Sequence, residues 1–396
     1  MTQLIFRWSA LGLLLPLLAA FFQPNLPTQQ ITVPFYSEKI VLNHADDLFL
    51  PVIGKLEEQS IVNYYESLAE EPFQPLLQSL KKAKYQFQLN DWLLYELTEK
   101  SVGTIFPEAN DKENGLITWF LSSKMGYDTR LAFLKNEVLI YVRTEDDIYE
   151  TPLIEDRGHR FVGLTELKNG RNQPNRSIYL LNFLAAPNGE PFKFSLEQLP
   201  QMTTDHQKRT LRFVWDNETH EVDIVCDKNL VDILKKYPVI GETDYIKTPF
   251  SAGLKKSLLP QIRQIIAGKS TVEALQIITT FTRSAFKYQE DERYFGHSKP
   301  MIRDEVFFYP YSDCEDRSAV FFGLVEALLD LPMIIVAFPD HLTVAVALDE
   351  PIGPSIRYKG NKFYICDPTG PYNSSEIGKI PSGYEQQSFE ILMDNL

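Results

Sequence analysis

The stretch YPYSDCEDRSAVFFGLVEALLDLPMIIVAFPDHLTVAV, Tyr309 to Val346, constrains the fold more than any other part of the chain. A charged turn passes directly into AVFFGLVEALLDL, apolar on nearly every helical face, a pattern that suits a helix buried at the centre of a domain. Asp313 reads as the N-cap and Asp316 as its capping-box partner, so Cys314 opens the helix. MIIVAF (333–338) reads as a buried strand, Pro339-Asp340 as a turn, and HLTVAVAL (341–348) as a second strand that begins at His341. NKFYICDPTG (361–370) supplies a third strand, which Pro368 must end. A buried helix followed by antiparallel neighbours predicts an α+β domain.

Upstream, a chain of 396 residues is too long for one ordinary core. The pattern predicts an N-terminal α/β region over 26–160, a β-rich, sandwich-like region over 161–247 and the helix-and-sheet domain over 248–396. Leu76, Leu77 and Leu80, then Leu93, Leu94 and Leu97, recur at helical steps within a helical pattern that runs from about Leu42 to Phe106. A further helix ends near Gly126, before two short strands. RSIYLLNFL, PFKFSL, RTLRFVWD and HEVDIVCD are short β-type runs with turn residues between them. SKMGYDTRLAFLKNEVLIYV lies without a gap over ALLDLPMIIVAFPDHLTVAV, placing Glu137 at His341 and Asn110 at Cys314. A duplication whose first copy lacks thiol and imidazole, or coincidence between two helix–strand–strand units, accounts for that overlay.

Residues 1–25 hold Arg7 ahead of an apolar run from Trp8 to Phe22, shorter than the roughly 20 residues of a membrane span. They predict a secretory signal, or an uncleaved anchor, and export to the periplasm or cell envelope. A formal charge of −14 argues against nucleic-acid and anionic-membrane partners, leaving the anchor as the one membrane contact. Cys226, Cys314 and Cys366 show no CxxC spacing, and no nucleotide loop or calcium loop occurs, so neither cofactor nor metal is expected.

Cys314 at a helix N-terminus feels the positive end of the dipole, while Glu315 and neighbouring acids oppose ionisation, so a base is needed. An antiparallel register with Leu348 opposite Gly360 puts His341 opposite Asp367, both on one face. The three side chains then form the series that nucleophilic acyl chemistry uses: thiol, general base, orienting carboxylate. Cys366 alternates to the opposite face and Cys226 sits in a β-run, so both read as core. His297 reads as a loop residue, and Arg317 as a loop-fixing partner of nearby carboxylates.

DCEDRSAVF, LVEALL, AFPDHLTVAV and YICDPT together resemble the transglutaminase-like superfamily, of the bacterial transglutaminase-like cysteine peptidase type, over roughly residues 270–380. The resemblance implies a papain-like fold, with Cys314 as nucleophile, His341 as base and Asp367 as orienting acid. The chain departs from that pattern ahead of Cys314: there is no nearby upstream glutamine, and no tryptophan follows Trp215. Gln289, Tyr288 and Tyr294 are the candidates for the second oxyanion contact. The implied activity is hydrolysis of peptide or isopeptide amides, with a protein or peptide substrate that includes envelope material. The rivals are an exported binding or scaffold protein with a weak or inactive triad, and a transglutaminase or deglycosylating amidase.

Overall fold

The computed structural model describes residues 27–169, 177–370 and 376–396, so the segment read as a signal or anchor lies outside the described residues. Helices and predominantly antiparallel sheets share the chain, as an α+β class requires. Strands β1 (Thr28–Phe35) and β2 (Glu38–Ala45) form a hairpin whose alternation buries Val33, Phe35, Ile40 and Leu42. The helical pattern therefore does not begin at Leu42. It begins after this hairpin, with α1 (Glu58–Glu70), α2 (Gln74–Gln86), α3 (Asp91–Ile105) and α4 (Asp111–Met125). Gly126, at φ 108°, ends α4 in the left-handed conformation that glycine adopts without steric cost.

Next come β3 (Thr129–Leu134), β4 (Glu137–Arg143), β5 (Leu153–Asp156), β6 (His159–Gly163), the short helix α5 (Leu164–Asn169) and β7 (Tyr179–Leu180). They build a sheet of order β5-β6-β4-β3-β7. The region after it is not a sandwich. PFKFSL buries Phe192 and Phe194, and Phe192 donates to the Arg143 carbonyl, but the N–H groups that follow bond to carboxylates: Lys193 to Asp91, and Ser195 to Asp146. With those donors taken by side chains the segment does not extend into a ladder. Among the described residues, strands β8 (His206–Trp215) and β9 (Glu218–Asp227) pair only with each other, and helices cover their apolar face.

Those helices follow: α6 (Lys228–Leu234), α7 (Glu242–Lys247), α8 (Ala252–Ile265) and α9 (Thr271–Ser284). The approach to the cysteine consists of short pieces: β10 (Lys287–Tyr288), α10 (Asp291–Tyr294), α11 (Arg303–Phe308) and β11 (Tyr311–Ser312), with β10 and β11 paired in parallel. Helix α12 (Cys314–Leu329) is buried continuously from Asp316 to Val325. Each large apolar side chain buried there contributes roughly 1.5–3 kcal/mol. Gly323 is required by packing, because a Cβ there would come within 2.5 Å of the Arg303 guanidinium.

The last sheet comprises β12 (Met333–Phe338), β13 (His341–Ala347), β14 (Ile356–Tyr358), β15 (Asn361–Ile365) and β16 (Glu390–Asp394), in the order β14-β15-β13-β12-β16. Both five-stranded sheets thus share one plan. Leu134 faces Glu137 across the first hairpin as Phe338 faces His341 across the second. Even the turns agree: Arg157-Gly158 and Lys359-Gly360 all have positive φ. One continuous apolar core joins the halves, reaching from Val33 to Met393.

Candidate functional site

Cys314 is the first residue of α12, where the sequence placed it, and Asp316 Oδ2 accepts the Asp313 backbone N–H at 3.2 Å. Leu342 stitches this turn to β13: its N–H contacts the Cys314 thiol, and its carbonyl accepts from Ser318 Oγ at 3.2 Å. Cys314 and His341 accordingly line one cleft of about 510 Å3, whose far wall is Tyr149, Glu150 and Glu242. The thiol itself points elsewhere. Sγ donates to Glu315 Oε2 at 2.9 Å, and no hydrogen bond joins it to the His341 ring among the described residues. Burial, then Glu315 and Asp313, push the thiol well above its ordinary range, and the Leu342 N–H only partly opposes them. In this arrangement Cys314 is a neutral thiol.

The histidine and carboxylate do meet, by a register different from the expected one. Ala345 pairs with Ile365 and Ala347 with Phe363, which displaces the ladder by two residues from the register read in the sequence. The cause is β14, which turns back at Lys359-Gly360 and pairs on the outer edge of β15 instead of forming a simple connection. A two-residue displacement preserves the face, whereas one residue would have reversed it. Asp367 consequently lies opposite Thr343, and its Oδ1 accepts from Thr343 Oγ1 at 3.1 Å and Thr369 Oγ1 at 2.8 Å. His341 Nε2 reaches the same oxygen diagonally, at 3.4 Å. Burial raises the Asp367 carboxyl, but His341, Thr369 and Arg283 outweigh it and hold the group below the usual carboxylate range. The His341 ring also stacks on Tyr384, with centroids 5.0 Å apart.

Arg317 binds the site together in a way its sequence context did not reveal. Its guanidinium, 1% exposed, donates to the carbonyls of Phe286 and Thr369, each at 2.7 Å, and to Ser312 Oγ at 3.0 Å. It fixes the loop, as expected, but among the described residues its hydrogen bonds go to these carbonyls, that of Gly370 and this hydroxyl, not to carboxylates. Thr343 and Thr369, both on Asp367, were likewise missed, because side chains that orient a carboxylate carry no distinctive spacing. Among the oxyanion candidates, Tyr288 lies under the Arg317 guanidinium at 5.2 Å, and its hydroxyl is pushed up by burial and then by Cys314. Tyr294 packs on Tyr311, and the Gln289 backbone pairs with Ser312. Cys366 is fully buried in the core, Cys226 donates to the Phe307 carbonyl, and His297 is exposed.

Asp291, Asp313 and Glu315 bring carboxylate oxygens within 4.8 Å of one another, a group of hard donors that could hold a cation. The sequence reading missed this cluster because Asp291 comes from a separate element, the start of α10. Burial, then Glu315, pushes the Asp313 carboxyl up to about 8. Burial is also the main cause that raises Asp291, to about 6. No helix among the described residues is long and apolar enough to cross a membrane. No family model, no curated protein and no solved structure matches the chain.

Proposed function

We propose that this chain is a thiol-dependent acyl-transfer enzyme of the transglutaminase-like type, with a papain-like C-terminal domain, acting as a hydrolase of peptide or isopeptide bonds. The observation that carries the reading is that Cys314, at a helix N-terminus, and His341 line one cleft, with the buried Asp367 carboxylate on the imidazole behind it. The sulfur first leaves Glu315 and turns to the ring. His341 takes the thiol proton as Sγ attacks the amide carbonyl carbon, and the carbonyl oxygen takes the negative charge. His341 then protonates the departing amine, leaving a thioester. Water adds to that thioester, giving a proton to His341; the C–S bond breaks, the carboxylic acid leaves, and His341 returns the proton to the sulfur. The apolar leader adds export to this proposal, with peptide or envelope material as the substrate class.

A second reading, a binding or scaffold protein with a quiescent triad, draws on the contact that keeps the thiol neutral. Native iodoacetamide labelling separates the two. For the enzyme, Cys314 is carboxymethylated faster than Cys226 and Cys366, and His341→Ala abolishes the advantage. An envelope-peptide library is cleaved by wild type and left intact by Cys314→Ala. Labelling of Cys314 at the rate of a free thiol or slower, with no cleavage, would sink the enzymatic reading.

A further inference from the structure

From Ser382 to Glu390 every side chain is exposed except Tyr384, which turns inward. Its ring lies on the His341 imidazole, with centroids 5.0 Å and planes 26° apart, and packs against Phe338 at 5.0 Å. Its hydroxyl engages the Asp340 carboxylate, in the turn that leads into His341. The loop is built to keep this placement. Tyr384 N–H donates to the Pro381 carbonyl and Gln387 N–H to the Tyr384 carbonyl, each at 3.1 Å. The Gln387 side chain donates to the Gly383 carbonyl at 3.0 Å, and Pro381, ahead of the turn, is buried. Beyond it, Glu390 opens β16 opposite Ala337 of β12, so both ends of the loop are tied to the sheet that carries the histidine.

An imidazole serves as a base only while its free nitrogen keeps one direction. Asp367 Oδ1 and Thr369 Oγ1 hold one edge of the ring, 3.4 and 3.5 Å from Nε2, which leaves Nδ1 for the thiol proton. Contacts of that length choose an edge but leave the ring free to tilt about the Cβ–Cγ bond. A near-parallel aromatic face removes that freedom, because tilting drives ring atoms into it. The negative face of a tyrosine also attracts a charged ring more than a neutral one. The contact therefore strengthens as His341 takes the thiol proton, when stabilisation counts toward rate. Tyr384 is not among the residues that line the cleft, so it acts through His341 and not on the substrate.

We propose that Tyr384 is a positioning residue for the general base: its ring fixes the plane of the His341 imidazole and favours the imidazolium that forms when Nδ1 takes the thiol proton. Asp367 and Thr369 then select the edge, and Tyr384 selects the tilt. The consequence for turnover rests on the hydrolase reading of the cleft. The consequence for the ring itself does not.

The test compares full-length wild type, Tyr384→Phe and Tyr384→Leu. Phenylalanine keeps the stacked face and loses only the hydroxyl; leucine keeps an apolar contact with Phe338 and loses the face. On a peptide that wild type cleaves, kcat falls about tenfold or more in Tyr384→Leu with KM unchanged, and stays within about threefold of wild type in Tyr384→Phe. Ring 15N shifts of histidine-labelled protein, assigned with His341→Ala, read the imidazole without any substrate. One neutral tautomer, protonated at Nε2, is expected in wild type and Tyr384→Phe, and a mixture of tautomers in Tyr384→Leu. An unchanged kcat or tautomer in Tyr384→Leu, an equal loss in Tyr384→Phe, or a rise in KM with kcat preserved overturns the assignment. Absence of any cleavage by wild type sinks the hydrolase reading instead, and the 15N shifts alone then decide whether Tyr384 holds the ring.

Discussion

Cys314 Sγ lies 2.9 Å from Glu315 Oε2, so the carboxylate next to the thiol is also the group that keeps it protonated. The first consequence concerns reactivity. Glu315→Gln removes the charge second only to burial among the causes that raise the thiol. The midpoint of the pH profile for Cys314 carboxymethylation therefore moves down in this variant. Each unit gives about a tenfold larger thiolate fraction below the midpoint. An unchanged or raised midpoint would show that Glu315 does not control the sulfur.

Asp367→Asn tests the orienting carboxylate. The amide can still accept from Thr343 and Thr369, but it no longer stabilises a charged imidazole. Peptide cleavage by the variant falls about 100-fold or more. Because the carboxyl is held below its ordinary range in the folded chain, it stabilises the protein above that range and loses this contribution as pH falls through the folded value. Unfolding midpoints of wild type and variant in urea therefore converge on acidification below about pH 4.

Arg317→Met isolates the scaffold beneath the site. The substitution abolishes the hydrogen bonds to Ser312, Phe286 and Thr369 and leaves buried carbonyls unpaired. A loss of about 3–5 kcal/mol in denaturant unfolding is expected. Arg317→Lys recovers little of it, because one ammonium cannot reproduce the planar fork. Full stability in Arg317→Met would remove the residue from this role.

Asp304 gives a pH effect of opposite sign. Burial pushes its carboxyl up from 3.8 to about 6, and its Oδ1 has no partner among the described residues. The stability it contributes is complete below pH 3.8 and is lost as pH rises through 6. Asp304→Asn keeps an acceptor for the Ser251 N–H, 2.9 Å away, and removes that loss. Urea midpoints should show the variant more stable by about 2–3 kcal/mol at pH 7.5, with the difference vanishing near pH 4. A variant less stable at both values would refute the assignment.

The elements around the site were legible because their determinants are local. Asp313 and Asp316 mark the start of α12, Asp330 in the left-handed region with Pro332 beyond it marks the end, and β12 begins at Met333 where the apolar run resumes. The Pro339-Asp340 turn ahead of β13 and Pro368 beyond β15 likewise bounded those strands. The sandwich expected over 161–247 failed because alternation reports that one face is buried and not what buries it. For β8 and β9 the cover is helices, and for PFKFSL the partners are the carboxylates of Asp91 and Asp146.

Side-chain type and spacing determined by themselves which thiol opens a buried helix, which imidazole begins a strand and which carboxylate precedes the terminating proline. Only the tertiary structure decided that Asp367 faces Thr343 with His341 on the diagonal, and that the thiol rests on Glu315. Register depends on β14, an added edge strand within the connection, and thiol orientation depends on competition between neighbours a few ångströms apart. The grouping of Asp291 with Asp313 and Glu315 likewise depends on folding. Distances between segments far apart in sequence arise from packing, and no local pattern records them.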